Sequence, residues 1–157
     1  ERGAAVDVIV GAKTADLVIF RKEMESVCDN LYICTDDGSE GFKGLVTAML
    51  DKLVNEDVKS YTQAVAIGPM IMMKFATLTA KKLGLPIIVS LNTLMVDGTG
   101  MCGACRVTVA GKTRFACVEG PEFNGYDVDF DEAMRRQGMY RTHEQEADHK
   151  CKIGRGK

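Results

Sequence analysis

Four residues in one stretch of this chain have the spacing of a metal centre. Cys102 and Cys105 form a C-x2-C pair, Cys117 follows after eleven intervening residues, and Asp97 precedes Cys102 with four residues between them. Gly100 and Gly103 let the backbone curl tightly around the first two thiols and point amide hydrogens at sulfur. Plant-type [2Fe–2S] sites read C-x4-C-x2-C and then a distant Cys, and here that pattern is intact with an aspartate in first place. A carboxylate is an anionic oxygen donor that ligates iron. It is harder than thiolate, so it would shift the potential of a cluster it helps to hold. Three cysteines and one further donor also suit a structural zinc ion, with His143, His149 or Cys151 as the fourth ligand. Zinc knuckles usually pair two C-x2-C or Cys/His units, and a single such unit occurs here, so the spacing favours iron–sulfur. The remaining cysteines, Cys28 and Cys34, sit beside apolar residues and read as buried thiols. With no secretory signal in view, disulfides are not the default reading.

The elements that must position these ligands begin upstream. Val6–Val10, Leu31–Cys34, Ala64–Ile67 and Pro86–Leu91 are short, nearly continuous apolar runs, the pattern of strands buried on both faces. Helices are expected between them: one capped by Thr14 and carrying Leu17, Val18, Phe20 and Met24, one from Phe42 to about Val54, and one from Met70 to Leu83 ended by a left-handed Gly84. Alternation of this kind predicts a doubly wound α/β fold with a parallel sheet. A dinucleotide fold normally opens on a strand and a G-x-G-x-x-G turn. None is present, and the chain opens on Glu1 rather than Met, so the expectation is a domain truncated at its N-terminus. After Leu91 the texture changes. A Gly-, Met- and Cys-rich loop leads to Arg106–Val109 and Thr113–Ala116, which flank Gly111 as a hairpin with Cys117 on its return strand. Gly120-Pro121 reads as a turn, Phe130–Arg136 as a short helix capped by Asp129, and the charged tail from Thr142 as loosely held. The expected parts are therefore 1–91, an α/β portion; 92–127, a small cluster-binding hairpin module; and 128–157, a helix and tail.

The 157 residues suffice for a sizeable core, and an apolar content of 46% excludes a disordered chain. The net charge of −2, with acids and bases mixed throughout, offers no basic stripe for nucleic acid. No apolar run approaches the roughly 20 residues of a membrane span, and no signal peptide opens the chain.

The runs V-D-G-T-G-M-C-G-A-C-R-V and F-A-C-V-E-G-P-E-F resemble the cluster-binding region of a known family. It comprises the FAD-containing small subunits of NADH-dependent ferredoxin–NADP oxidoreductase, also called sulfide dehydrogenase beta subunits. The electron-transfer subunit of dihydroorotate dehydrogenase is a close relative. T-D-D-G-S-E-G-F-K-G-L-V-T at Thr35–Thr47 and I-G-P-M at Ile67–Met70 match as well, so the resemblance covers essentially the whole chain. The dihydroorotate branch usually has Cys where this chain has Asp97, which tilts the resemblance toward the ferredoxin–NADP branch. The resemblance implies a ferredoxin reductase-like nucleotide domain with NAD(P)H as substrate. FAD would be bound by a β-barrel that this chain lacks, and the [2Fe–2S] cluster would be held by Asp97, Cys102, Cys105 and Cys117. The implied partners are a larger iron–sulfur/flavin subunit and ferredoxin, in a cytoplasmic setting. It also implies that Gly68, Pro69 and Met70 lie near the nicotinamide, and that Gly11, Lys13, Asp36, Asp37 and Ser39 approach the nucleotide. The Met70, Met72, Met73 group otherwise reads as core packing.

Overall fold

Asp7–Ala12 forms β1 and Asn30–Thr35 forms β2 in the computed structural model of the chain, which describes residues 3–57 and 59–154. The two strands pair in parallel from Asp7↔Asn30 to Ala12↔Thr35, and β3 (Phe42–Lys43) joins β2 in the same sense. Two expectations change in this region. The Thr14 segment makes only a 3-10 turn over Ala15–Leu17, and the Thr14 hydroxyl bonds Asp16 instead of capping a helix. Val18 is extended and Phe20 is left-handed, so α1 is delayed to Arg21–Glu25. Phe42 lies in β3 and not in a helix, because Gly41 and Gly44, both at positive φ, bracket it and Gly44 donates its N–H to the Thr35 carbonyl. The helix α2 starts at Val46 and runs to Asn55, burying Met49 and Leu53 against Cys34, with Ile9, Tyr32, Phe42 and Tyr61 packed around them. Cys34 is thus a core thiol, and burial pushes its pKa up.

These elements belong to a compact unit that runs to Thr62 and takes in Lys82–Gly84; Gln63–Lys81 and the residues from Leu85 onward form a second. In the second unit, β4 (Ala64–Ile67) pairs in parallel with β5 (Ile87–Ser90). Between them α3 (Met70–Lys82) buries Met70, Met73, Ala76, Thr77 and Ala80, so Met70 and Met73 are core as expected while Met72 is only half-buried. Gly84 is left-handed with φ +66, as a helix stop requires. The second sheet carries one strand the periodicity did not announce: β8 (Glu122–Asn124) adds antiparallel to β5. The hydrogen-bonded sheets are therefore β1-β2-β3, β4-β5-β8 and the hairpin of β6 (Arg106–Val109) with β7 (Lys112–Phe115). Ala110 and Gly111 both have positive φ, the geometry of a two-residue hairpin turn.

Beyond the hairpin the chain turns into α4 (Ala116–Glu119). The Asp129 carboxylate accepts from Glu132 N at 2.9 Å and caps α5 (Phe130–Gln137), as expected. The tail expected to be loosely held carries a helix, α6 (Arg141–Gly154), whose residues from Arg141 to Cys151 are all exposed. About half of its residues (Arg, Gln, Glu, Ala and Lys) are strong helix formers, and it has no apolar stripe for periodicity to reveal. No helix among the described residues is long and apolar enough to cross a membrane.

Candidate metal centre

The loop from Asp97 to Cys105 is organised by its own first carboxylate. Asp97 Oδ1 accepts from Thr99 N at 2.8 Å and Oδ2 from Cys102 N at 3.2 Å. These amide bonds, Thr99 foremost, hold the Asp97 carboxyl below the usual carboxylate range and keep it an anion. The carboxylate thereby stays on the side of the loop where Cys102 is presented. Gly98, Gly100 and Gly103 all have positive φ, and a Cβ at Gly100 would meet Val118 Cγ2 at 3.0 Å. Inside the curl, Ala104 N points at Cys102 Sγ at 3.5 Å, an amide-to-sulfur contact of the kind the glycines were expected to allow.

Cys105 closes the loop in a buried position, 1% exposed, one residue before β6. Cys117 sits in α4, not on the return strand of the hairpin. The turn that carries it is folded back by Glu119, whose carboxylate accepts from Phe115 N at 2.8 Å and pairs with Arg114. Cys105 Sγ and Cys117 Sγ are then 3.2 Å apart, with both thiols free. That neighbour, followed by burial, pushes the Cys117 thiol pKa up. Two sulfurs so placed cannot both ionise cheaply, and a bound cation would relieve the repulsion.

The donors are thus organised as two pairs. Asp97 and Cys102 are tied through one loop, with Cys102 exposed, while Cys105 and Cys117 touch through sulfur. No three His, Cys, Asp or Glu among the described residues gather as a single-ion site would need. The expected meeting of three sulfurs is met only in part: Cys105 and Cys117 touch, and no third donor gathers with them among the described residues. The other candidate donors, His143, His149 and Cys151, all lie on α6. Three thiols, an ionised carboxylate and an amide aimed at sulfur fit the chemistry of a cluster with two irons, each of which takes two protein ligands.

Two residues beyond these candidate donors support the loop. The Arg136 guanidinium donates to the carbonyls of Gly103 and Ala104 at 3.4 and 3.3 Å, and Gln137 Nε2 donates to Asn92 O at 2.9 Å. Both come from the end of α5, and no spacing in the sequence marks them.

The nucleotide candidates fall in two places. In the first unit, Asp36 N and Asp37 N bond the carbonyls of Ala12 and Lys13, and Ala15 N donates to Ser39 Oγ at 2.8 Å. The loops after β1 and β2 therefore meet, which brings Lys13, Asp36, Asp37 and Ser39 together at the carboxyl ends of two parallel strands. Asp37 is turned to Ser39, which donates to it from both its hydroxyl and its N–H, and these bonds lower the Asp37 pKa. Thr35, fully buried, pins the same loop by donating to Glu40 O and accepting from Glu40 N. Gly11 lies within β1, where a Cβ would strike Val46 Cγ1 at 2.5 Å, so helix packing alone accounts for its type. In the second unit, Gly68 and Pro69 follow β4, and Met70 is only 2% exposed, which leaves it almost no surface for a ligand.

The loop and its donor pairs, on a mixed α/β scaffold, suit an iron–sulfur binding module. Residues 92–129 match the family model for the iron–sulfur cluster binding domain of dihydroorotate dehydrogenase B. The chain is a homologue of that enzyme's electron-transfer subunits. It is 52% identical over 144 residues to a Thermotoga maritima homologue of the dihydroorotate dehydrogenase B (NAD(+)) electron transfer subunit, covering 92% of this chain and 50% of the relative. An uncharacterised Clostridium beijerinckii protein is 57% identical over 147 residues, covering 94% of this chain and 50% of its own. Among solved structures, the NADH-dependent reduced ferredoxin-NADP oxidoreductase, studied for flavin-based electron bifurcation, superposes with a TM-score of 0.81 at 47% identity, over 94% of this chain and 52% of that one. The chain spans about half the length of the curated relatives it matches.

Proposed function

We propose that this chain is the nucleotide- and cluster-binding portion of an oxidoreductase that moves electrons between NAD(P)H, FAD bound outside these residues, and a [2Fe–2S] cluster held by Asp97, Cys102, Cys105 and Cys117. The observation that carries the reading is the sulfur contact between Cys105 and Cys117, set beside the Asp97–Cys102 loop within the residues that match an iron–sulfur domain. Asp97 and Cys102 would serve one iron, and Cys105 and Cys117 the other. Such a cluster supplies one-electron transfer, which lets a two-electron carrier be emptied singly.

The chain's own work is binding, orientation and exclusion of water. Cys105 anchors the site in the core, and Cys102 and Asp97 hold its solvent side, where a partner subunit or ferredoxin would exchange electrons. The Ala104 amide stabilises charge on Cys102 sulfur. By resemblance, Gly11, Lys13, Asp36, Asp37 and Ser39 would approach a nucleotide at strand ends of the first unit, and Gly68, Pro69 and Met70 are nicotinamide candidates within the second. This reading keeps the α/β part, residues 1–91, as a doubly wound ferredoxin reductase-like domain. Residues 92–127 form its cluster module and 128–157 its helix and tail, in a cytoplasmic complex with a larger subunit. The Asp at the first ligand position favours the ferredoxin–NADP type over the dihydroorotate type.

The test is anaerobic purification with iron and sulfide analysis and electron paramagnetic resonance after reduction. Two irons per chain and a signal on reduction are expected, whereas stoichiometric zinc in a colourless protein would sink the proposal. Asp97→Cys should retain a cluster with a changed reduction potential, and Asp97→Ala should leave the cluster labile. Identifying the large subunit that co-purifies separates the ferredoxin–NADP from the dihydroorotate type.

A further inference from the structure

The loop between Cys102 and Cys105 contains two carbonyls, Gly103 O and Ala104 O, whose negative ends would repel a negatively charged centre. Arg136 covers both. One nitrogen of its guanidinium lies 3.4 Å from Gly103 O and 3.3 Å from Ala104 O. These distances are long for hydrogen bonds, so the contact acts mainly as a full positive charge against two dipoles. The Nε of the same group is buried without a hydrogen-bond partner, and among the described residues no carboxylate pairs with Arg136. A half-buried cation left without a counter-ion is costly unless negative charge is near it.

Its carrier is held from several sides. Asp129 caps the start of α5, Asp131 pairs with Lys74 at 2.7 Å, and Phe130 and Ala133 are buried. Gln137, the next residue, holds Asn92 at the entry to the cluster segment. Arg136 also lines a cavity of about 30 Å³ with Thr93, Ala104 and Arg106, so the guanidinium sits in a walled recess. All of α5 lies past residue 129, where the family match ends.

We infer that Arg136 is a positioning residue that braces the Cys102–Cys105 loop and supplies the positive charge that sets the electron affinity of the cluster. The inference rests on the reading of this loop as an iron–sulfur site. Two ferric ions, two sulfides and four anionic ligands sum to a charge of about −2, which becomes about −3 on reduction. A fixed cation stabilises the more negative form more, so it raises the potential. Removing it lowers the potential.

The experiment compares Arg136→Gln and Arg136→Lys in the intact, cluster-loaded protein. Arg135→Gln, an exposed neighbour on the same helix, controls for net charge. Potentiometric titration followed by paramagnetic resonance reads the potential, and hydrogen exchange reads the amides of residues 102–105. Arg136→Gln is expected to weaken electron affinity at least tenfold, about 59 mV toward negative for a one-electron couple. Its loop amides should exchange faster than the parent's. Arg136→Lys should stay close to the parent potential and still exchange faster, because it keeps the charge but loses the fork. Arg135→Gln should match the parent in both. If Arg136→Gln keeps the parent potential, or shifts it no more than Arg135→Gln does, the inference is overturned. If Arg136→Gln assembles no cluster, the lysine variant decides: a cluster at the parent potential supports the role of charge, and no cluster overturns it. A parent protein without iron would overturn this inference together with the reading beneath it. A parent with a normal cluster beside an indifferent Arg136→Gln overturns this inference alone.

Discussion

At the scale of single residues, Asp97 performs two tasks that substitution can separate. Its two oxygens order the loop through Thr99 N and Cys102 N, and its charge suits it to iron. Asp97→Asn retains an acceptor for one of those amides and loses the anionic donor. Loop exchange near the parent rate is therefore expected, together with faster loss of iron on gel filtration. Fast exchange with full retention of iron would assign Asp97 to loop order alone. Gly41 offers a sharper backbone test. Its φ is +63, and a Cβ built there would lie 2.1 Å from the Ile33 carbonyl oxygen, a backbone atom in β2 that cannot yield. Gly84 has a similar φ of +66 but faces open space. Gly84→Ala should cost about 1 kcal/mol from the left-handed backbone alone. Gly41→Ala should cost on the order of 3 kcal/mol, because a clash is added to that strain. Urea titration of the two variants measures the difference, and equal losses would show that the loop at Gly41 relaxes.

At the scale of elements, the N-cap of α5 matters beyond its own helix, since α5 ends in the two side chains that hold the cluster segment. Asp129→Ala should cost about 1 kcal/mol, with recovery in Asp129→Asn, as read by chemical denaturation. The cap was visible in the sequence because a cap is a local feature: an aspartate directly before a segment with apolar residues at helical spacing. The strands β1, β2, β4 and β5 were legible for the same kind of reason, since runs such as Asp7–Ala12 leave few alternatives. What stayed hidden depended on tertiary geometry. Phe42 continues the apolar spacing of α2 backward, and only the glycines on either side show that the spacing there is accidental. A four-residue helix such as α4 has no period to detect, so Cys117 was assigned to a strand. β8 is three residues long, and α6 has no apolar stripe. The spacing of Asp97, Cys102, Cys105 and Cys117, the proposed ligands, was legible because metal binding constrains chemistry and distance together. Arg136 was not, because an arginine in the last turn of a helix is what the helix dipole favours in any case.

At the scale of the molecule, long-range order in the first unit depends on one ionised group. Asp7, at the head of β1, accepts from Lys59 Nζ at 2.7 Å and Tyr61 Oη at 2.7 Å, residues 52 and 54 positions away, and from Asn30 Nδ2 at 2.7 Å. Lys59 also donates to Tyr32 Oη at 2.5 Å and stands 5.1 Å above that ring. Residues that follow α2 are thereby tied back to the first strand and its neighbour. Burial alone would raise the Asp7 pKa, but the bonds from Lys59, Asn30 and Tyr61 outweigh it and hold the carboxyl at about 2. Its folded pKa is thus depressed, so its contribution is present in full above the unfolded value of about 3.9 and is lost as pH falls through the folded value. Lys59 shows the opposite sign: Asp7 and Tyr32 raise its pKa, so its contribution is present below the unfolded lysine value and lost only in strong alkali. The pair should therefore give a stability plateau through neutral pH with an acid shoulder between about pH 4 and pH 2. Asp7→Asn should lose about 1 kcal/mol at neutral pH, after allowance for solvent screening, and its stability should fall less steeply across the shoulder. Urea denaturation at intervals from pH 2 to pH 7 measures both. An unchanged acid slope in Asp7→Asn would mean that other carboxylates govern acid unfolding and that the long-range tie contributes order without pH-dependent stability.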